Sequence, residues 1–345
     1  MSCVFRSAMP AKGMDHVKYL FLLTALLLCS LSRCWASAPI PSVAVILDTD
    51  MASDVDDVGA LHVLNYYQKA CTCNILAIIV DQKEAGSPDA CKAIDQYWRH
   101  STIPVGQVTG DGCLSDPSAY SYNLQNSYIG TVPSTLDSTV LYRKTLASQK
   151  DGSVTILCIG HETAFARLLK SPPDQYSPLT GSALIAKKVS RVVVMGGDYS
   201  PNVGESFTPA QPEFNFATDA ESSAAMVSQL TRLRIPTYYI CFTMGSAIQI
   251  GGWTEALPFN SPLREAYRLY NGSRPRAGWD VLAAQFAVDG PTDKFALTRG
   301  TNTVDASTGL NHFTVNSSGT QYYLTLTYVP AIETDFINAL YQKLP

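Results

Sequence analysis

The chain is poor in charge. Asp, Glu, Lys and Arg make up 16% of its 345 residues, and the net charge is −4. No cluster of Lys and Arg stands out, which argues against a nucleic-acid partner. Long apolar runs are absent after the first forty residues, so no later segment reads as transmembrane. Internal repeats and low-complexity linkers are also missing, and one domain is the simplest account. Disorder is excluded by what is present: 46% hydrophobic residues suffice for a full core.

The N-terminus has the order of a secretory signal. Arg6, Lys12 and Lys18 precede an apolar run from Tyr19 to Leu31, and Ala36, Ser37 and Ala38 follow. The run is shorter than the ~20 residues that span a bilayer, so removal is favoured over anchoring. The expected division is a signal peptide over 1–36 and one domain over 37–345, with a secreted product that no longer meets the membrane. Cleavage takes Cys3, Cys29 and Cys34 away, leaving six of nine cysteines. Cys71, Cys73, Cys91 and Cys113 could pair locally, whereas Cys158 and Cys241 sit in apolar runs and read as buried thiols. Asn271-Gly272-Ser273 and Asn316-Ser317-Ser318 are glycosylation sequons, which fit a secreted glycoprotein.

Short β-branched runs alternate with helical patterns. Val43–Leu47, Ile75–Val80, Val154–Ile159, Arg191–Met195 and Pro236–Phe242 read as buried strands. Helices are expected after Asp57, over Pro88–Trp98, after Gly160 and over Asp219–Leu233. The stretch from Gly110 to Val132 shows no period and reads as a long loop. From about 301 to 345 the pattern shifts to short antiparallel strands and a last helix. The expected fold is α/β: an open, mainly parallel sheet flanked by helices, with a small β-rich C-terminal extension.

Chemistry concentrates in Asp48-Thr49-Asp50-Met51-Ala52-Ser53-Asp54-Val55-Asp56-Asp57, five carboxylates directly after a buried strand. In an open α/β sheet, ligands bind at the carboxyl ends of strands. Carboxylates packed together must be hydrated, protonated or neutralised. A hard divalent cation with oxygen ligands does the last. The competing reading is a solvated acidic loop that starts a helix. The wholly apolar strand before it, and the lack of Lys or Arg alongside, favour the metal.

Asp-Thr-Asp after a buried strand, then Asp-Asp opening a helix, resembles the inosine-uridine-preferring nucleoside hydrolases, in a divergent subgroup with an Asp-x-Asp-Met opening. Three further motifs follow in the family's order: Val193-Val194-Met195-Gly196-Gly197, Glu213-Phe214-Asn215 with Asp219 downstream, and Asp280 before an apolar helix. The resemblance implies Ca²⁺ bound by Asp50, Asp57, Asp280 and the backbone carbonyl of Ile159. It implies that Asp50 is also the general base on the attacking water. Asp56, Glu213 and Asn215 would hold ribose hydroxyls, and Trp279 would stack on the base. For Glu213 and Asn215 the plainer alternative is helix capping, and for Trp279 it is core packing. The implied reaction is calcium-dependent hydrolysis of the N-glycosidic bond of a ribonucleoside or related N-riboside, giving ribose and free base. Relatives are often dimers or tetramers, which leaves a homo-oligomer open.

Three departures stand out. Five residues separate Asp50 from Asp56, more than in the family's usual segment, and Asp54 is an extra carboxylate: a support for the site or a plain helix cap. Where many members carry a proton-donating His before the late Asp, this chain has Trp279; His161 is a substitute donor unless it is merely an exposed loop residue. The Asn expected before Glu213 is replaced by Phe207, with Asn202 an alternative, and Asp81-Gln82-Lys83 stands after the second strand without a clear family counterpart. Two other functions compete. A secreted binding protein would keep the cation pocket without turnover. A haloacid dehalogenase-type phosphatase also opens on Asp-x-Asp, but Ala52 does not suit it, and Asp56-Asp57 and Glu213-Phe214-Asn215 would go unexplained.

Overall fold

The computed structural model describes residues 42–110, 119–128 and 135–345. The signal-like segment and Cys113 lie outside them. Twelve strands and several helices, among the described residues, place the site. The apolar runs form β1 (Val43–Thr49), β2 (Cys73–Val80), β3 (Val105–Gln107), β4 (Leu136–Asp137), β5 (Val154–Cys158), β6 (Val189–Met195) and β7 (Thr237–Ile240). Beyond a two-stranded ribbon of β8 (Gln249–Ile250) and β9 (Arg276–Ala277) come β10 (Phe295–Val304), β11 (Asn311–Val315) and β12 (Gln321–Leu326). Apart from the ribbon, these strands make one ten-stranded sheet in the order β11-β10-β12-β7-β6-β5-β1-β2-β3-β4. β10 is antiparallel to both of its neighbours, while β12 through β4 pair in parallel. The mainly parallel sheet and its antiparallel C-terminal extension are therefore as expected.

β1 is buried along Val45, Ile46 and Leu47, as the continuous apolar run required, because parallel strands are covered on both faces. Covering helices include α1 (Asp56–Lys69), α2 (Ser87–Tyr97), α3 (Ala119–Tyr128), α4 (Ser138–Ser148), α5 (Thr163–Lys170), α6 (Gly181–Lys188), α7 (Phe214–Thr218), α8 (Ala220–Leu233), α9 (Phe242–Ser246), α10 (Pro262–Asn271), α11 (Trp279–Asp289) and α12 (Pro330–Tyr341). None of the described helices is long and apolar enough to cross a membrane.

One expectation fails here. The stretch read as a loop from Gly110 to Val132 contains α3. Ser, Asn and Gln mask its period, but Tyr120 and Leu124, four positions apart, are wholly buried on one side. No disulfide joins the described cysteines. Cys71 is an exposed thiol, and Cys73, Cys91, Cys158 and Cys241 are buried ones. Burial pushes the thiols of Cys73 and Cys241 up to about 12, where they are inert.

Candidate active site

Five adjacent parallel strands, β2-β1-β5-β6-β7, end on the same side of the sheet, and the residues following them meet there. Asp50 follows β1, Asp81 follows β2, Ile159 follows β5, Met195 closes β6, and Phe242 comes two residues after β7. The chain leaves β1 through a tight turn in which Ala52 has φ of +97°, a conformation that costs a non-glycine residue about 1–3 kcal/mol. The turn is held from above by Tyr120, whose hydroxyl accepts from the Ala52 N–H (2.7 Å) and donates to the Asp54 carbonyl (2.6 Å). Gln82 donates its amide to the carbonyls of Asp50 and Met51 from below.

α1 then begins with Asp56 and Asp57 in its first turn, and α11, which packs against it, begins with Trp279 and Asp280. Two helix N-termini thus present three acids to one point, where the helix dipoles favour negative charge. Asp56, Asp57 and Asp280 offer oxygens within 4.8 Å of one another, all buried. Asp56 Oδ2 accepts the backbone N–H of Asp280 (3.0 Å), and Thr49 donates its hydroxyl to Asp57 Oδ1. Asp57 Oδ2 is buried with no hydrogen-bond partner. Burial first, then mutual repulsion, drives the Asp57 and Asp280 carboxyls well above their ordinary values, and the repulsion on Asp56 comes chiefly from Asp54. A buried acidic trio with an orphaned oxygen fits a hard divalent cation.

These acids line a cleft of about 330 Å³ together with Asp50, Ser53, Asp54, Ile159, Met195, Glu213, Phe214, Asn215, Phe242, Tyr270, Arg276 and Trp279. Such a volume suits a small ligand, for which pockets run roughly 300–1,000 Å³. Every candidate from the sequence, namely Asp50, Asp56, Asp57, Ile159, Glu213, Asn215, Trp279 and Asp280, therefore reaches one cavity. The tightest acidic group is Asp56, Asp57 and Asp280; Asp50 shares the cleft but is not in that trio.

Glu213 is the N-cap of α7. Oε1 accepts from the Asn215 N–H (2.9 Å), and Oε2 accepts from the N–H groups of Gly197 (2.9 Å) and Phe216 (3.2 Å). The capping alternative is thus real for Glu213. Burial still pushes its carboxyl up to about 7. Asn215 points its amide nitrogen at the carbonyls of Met195 (3.1 Å) and Ile159 (3.3 Å), tying β6 to β5 at the cleft floor.

The outer wall is aromatic. Trp279 stacks on Phe242 (5.5 Å between centroids, 23°) and donates its indole N–H to the Phe242 carbonyl (2.8 Å). Phe214, 54% exposed, faces the same opening. Trp279 is therefore wall rather than core. Asp54 is neither a cap nor unpaired. It makes a forked ion pair with Arg276 (Nε to Oδ2 3.0 Å, Nε to Oδ1 3.1 Å), and Arg276 also lies 5.0 Å from the Trp279 ring. The acidic segment lacks a cation along the chain but has one in space, 222 positions on.

His161 is a second correction. It is buried, not an exposed loop residue, and it does not line the cleft, so it is not placed to protonate a leaving group. Its Nε2 lies 3.3 Å from Asp50 Oδ2. Burial lowers the imidazole's proton affinity, but Asp50's contact and charge outweigh that and leave it raised. Asp81 sits behind, wholly buried, its carboxyl driven well up by burial and by Asp48. Asn202 lies outside the cleft, and Phe207 pairs by backbone with Phe313.

Solved structures share this fold. An inosine-uridine preferring nucleoside hydrolase from Bacillus anthracis superposes with a TM-score of 0.63 at 19% identity, covering 86% of this chain and 98% of that one. A plant nucleoside hydrolase gives 0.63 at 16% identity, covering 87% and 98%. The type III effector protein XopQ, solved in complex with adenosine diphosphate ribose, gives 0.65 at 15% identity, covering 95% and 98%. A comparison with curated protein sequences returned no match. The model of the inosine-uridine preferring nucleoside hydrolase family matches residues 45–309. The chain belongs to that family, and with it to the hydrolases of N-glycosyl bonds.

Proposed function

We propose that the chain is a calcium-dependent hydrolase that splits the N-glycosidic bond of a ribonucleoside or related N-riboside into ribose and free base. The supporting observation is the meeting of eight residues, drawn from sequence positions 50 to 280, around one cleft of nucleoside size.

Asp50, Asp57, Asp280 and the Ile159 carbonyl would hold the ion, with Asp56 beside it. When bound, Ca²⁺ supplies positive charge that acidifies a water and grips the sugar diol. Asp50 accepts the proton of the attacking water, which places the general base on the cleft floor. Asp56 and Asn215 address the ribose hydroxyls. Glu213 has roughly four acceptor sites and spends three on backbone N–H groups, so one remains for a hydroxyl. These contacts orient the sugar while its anomeric carbon gains oxocarbenium character. The faces of Trp279, Phe242 and Phe214 take the aromatic base. The proposal extends to a signal peptide over 1–36, one domain over 37–345, and a secreted glycoprotein.

The test is incubation of the purified chain with a nucleoside panel, with and without chelator, following reducing sugar. Adenosine diphosphate ribose belongs in the panel because XopQ holds it. Turnover that stops with chelator and returns with Ca²⁺ supports the reading; no cleavage of any member ends it. Asp50→Asn separates enzyme from binder: an enzyme loses turnover, about 10²–10⁴-fold, and keeps ligand affinity.

A further inference from the structure

We infer that His161 is a positioning residue for Asp50: a buried imidazole that holds the carboxylate of the general base in its working orientation. The inference rests on the function proposed above, since it needs Asp50 to act on water.

The geometry is a line of three side chains under the cleft floor. His161 Nε2 is 3.3 Å from Asp50 Oδ2, and His161 Nδ1 is 4.0 Å from Asp81 Oδ1. His161 is 2% exposed and Asp81 1%. Nε2 has no hydrogen-bond partner, Asp50 included, so the 3.3 Å approach is an ion-pair contact not yet aligned as a bond. Among the described residues, His161 is the side chain found at ion-pair distance from the Asp50 carboxylate. Catalytic contacts are often long before substrate binds and tighten afterwards.

The backbone is arranged for this approach. A Cβ on residue 160 would lie 2.3 Å from the Asp50 nitrogen and 2.7 Å from Asp81 Oδ2, so Gly160 alone lets the β5 loop close on both acids. Phe214 covers the imidazole from the cleft side, its ring centroid 6.1 Å away. A carboxylate aimed at water must not rotate, and an error of about 1 Å in such a group costs about 10²-fold in rate. The imidazole offers Asp50 a donor held in place by burial, and Asp81 lies on the ring's other side, 4.0 Å from Nδ1. This is the arrangement in which a base is itself held by a further group.

The test compares wild type, His161→Leu, His161→Gln and Asp50→Asn on a cleaved nucleoside, with Ca²⁺ affinity by calorimetry and folding by circular dichroism. A Gln amide nitrogen reaches about as far as Nε2. His161→Leu is expected to lower kcat at saturating Ca²⁺ about 10²-fold with KM within about threefold. His161→Gln is expected to recover most of the loss. In addition, the ¹⁵N resonance of His161 Nε2 should move in Asp50→Asn. If His161→Leu is folded and turns over like wild type while Asp50→Asn is dead, the inference falls and the hydrolase reading stands. If Leu and Gln variants lose activity equally, or KM carries the loss, His161 is only packing and the inference also falls. An unmoved ¹⁵N resonance removes the contact itself. A wild-type chain that cleaves nothing removes the hydrolase reading and this role together.

Discussion

Six carboxylates line the cleft against one guanidinium, while on the C-terminal flank of the same sheet ring packs on ring. Tyr199 lies parallel to Tyr323 (5.5 Å, 10°), and Phe313 meets both edge-on at 5.7 and 5.0 Å. Asn302 donates to the Tyr199 hydroxyl (2.9 Å) and Tyr323 donates to the Asn202 carbonyl (2.9 Å). The flank leaves neutral atoms unpartnered, such as Tyr239 Oη and Asn302 Oδ1. In the cleft the unpartnered atom is a carboxylate oxygen, Asp57 Oδ2. One region supplies stability, and the other draws on it to hold charges that only a ligand completes.

The hardest strain on this contrast comes from Asp57→Asn. The amide keeps an acceptor for Thr49 but removes a buried charge from the trio. Cation binding should be lost, and turnover with it by roughly 10³- to 10⁴-fold, since an ion of this kind supplies several kcal/mol at the transition state. Thermal unfolding shows the other half. The cation-free variant should melt above cation-free wild type. At a Ca²⁺ concentration 100 times Kd, wild type should gain about 2.7 kcal/mol and the variant nothing. A variant that melts lower without cation, or still gains with it, would show that the trio is ordinary structure.

Phe313→Ala probes the other side. Phe313 is fully buried edge-on against the Tyr199–Tyr323 stack, and deleting such a ring costs about 3–5 kcal/mol. Urea unfolding should register that loss, while Ca²⁺ affinity and KM stay within about twofold of wild type. A large change in either would mean that the flank reaches into the site.

Much of this division was legible along the chain, and the exceptions share a cause. β-branched runs marked β1, β2, β5, β6 and β7 because a doubly covered parallel strand needs apolar residues at every position. Asp50, Asp56, Asp57, Glu213, Asn215 and Asp280 were legible because motifs in a fixed order sit at strand or helix ends, which an open α/β sheet brings together. The pairing of Asp54 with Arg276 was not, since nothing local links residues 222 positions apart. His161 reads along the chain as a substitute donor or an exposed loop residue, because loops usually lie at the surface; the signal that could have found its buried place is Gly160, a residue without a side chain beside the strand end. α3 was hidden by polar residues, although Tyr120 and Leu124 keep a helical spacing.

A buried carboxylate also stands outside the cleft. Asp95 on α2 accepts from Asn65 (2.8 Å), but its Oδ2 has no partner, and burial pushes its carboxyl up to about 8. The folded pKa is above the unfolded one, so Asp95's contribution is most favourable below pH ~4 and is lost as pH rises towards 8. Asp95→Asn should therefore match wild type near pH 4 and exceed it by about 1–3 kcal/mol near pH 8. Ca²⁺ should not change that difference, because burial and the Asn65 bond, not the trio's charges, set the Asp95 shift. A slope that Ca²⁺ abolishes would place Asp95 in the site after all.

The smallest expected effect falls on the seam between the two roles. Glu213 caps α7 and pins the Gly197 N–H with the same carboxylate that faces the cleft. Glu213→Gln leaves one oxygen to do the work of two. At least one backbone N–H then loses its acceptor, at a cost near that of a lost cap, about 1 kcal/mol. The acceptor proposed for ribose goes with it, and KM should rise by no more than about tenfold, the worth of one net hydrogen bond. Measuring both in one variant weighs the roles directly. A melting change without a KM change makes Glu213 a cap alone; a KM change without a melting change makes it a ligand-binding residue whose backbone contacts are dispensable. Losses in both would show that here the stabilising and the ligand-seeking halves of the fold meet in one side chain.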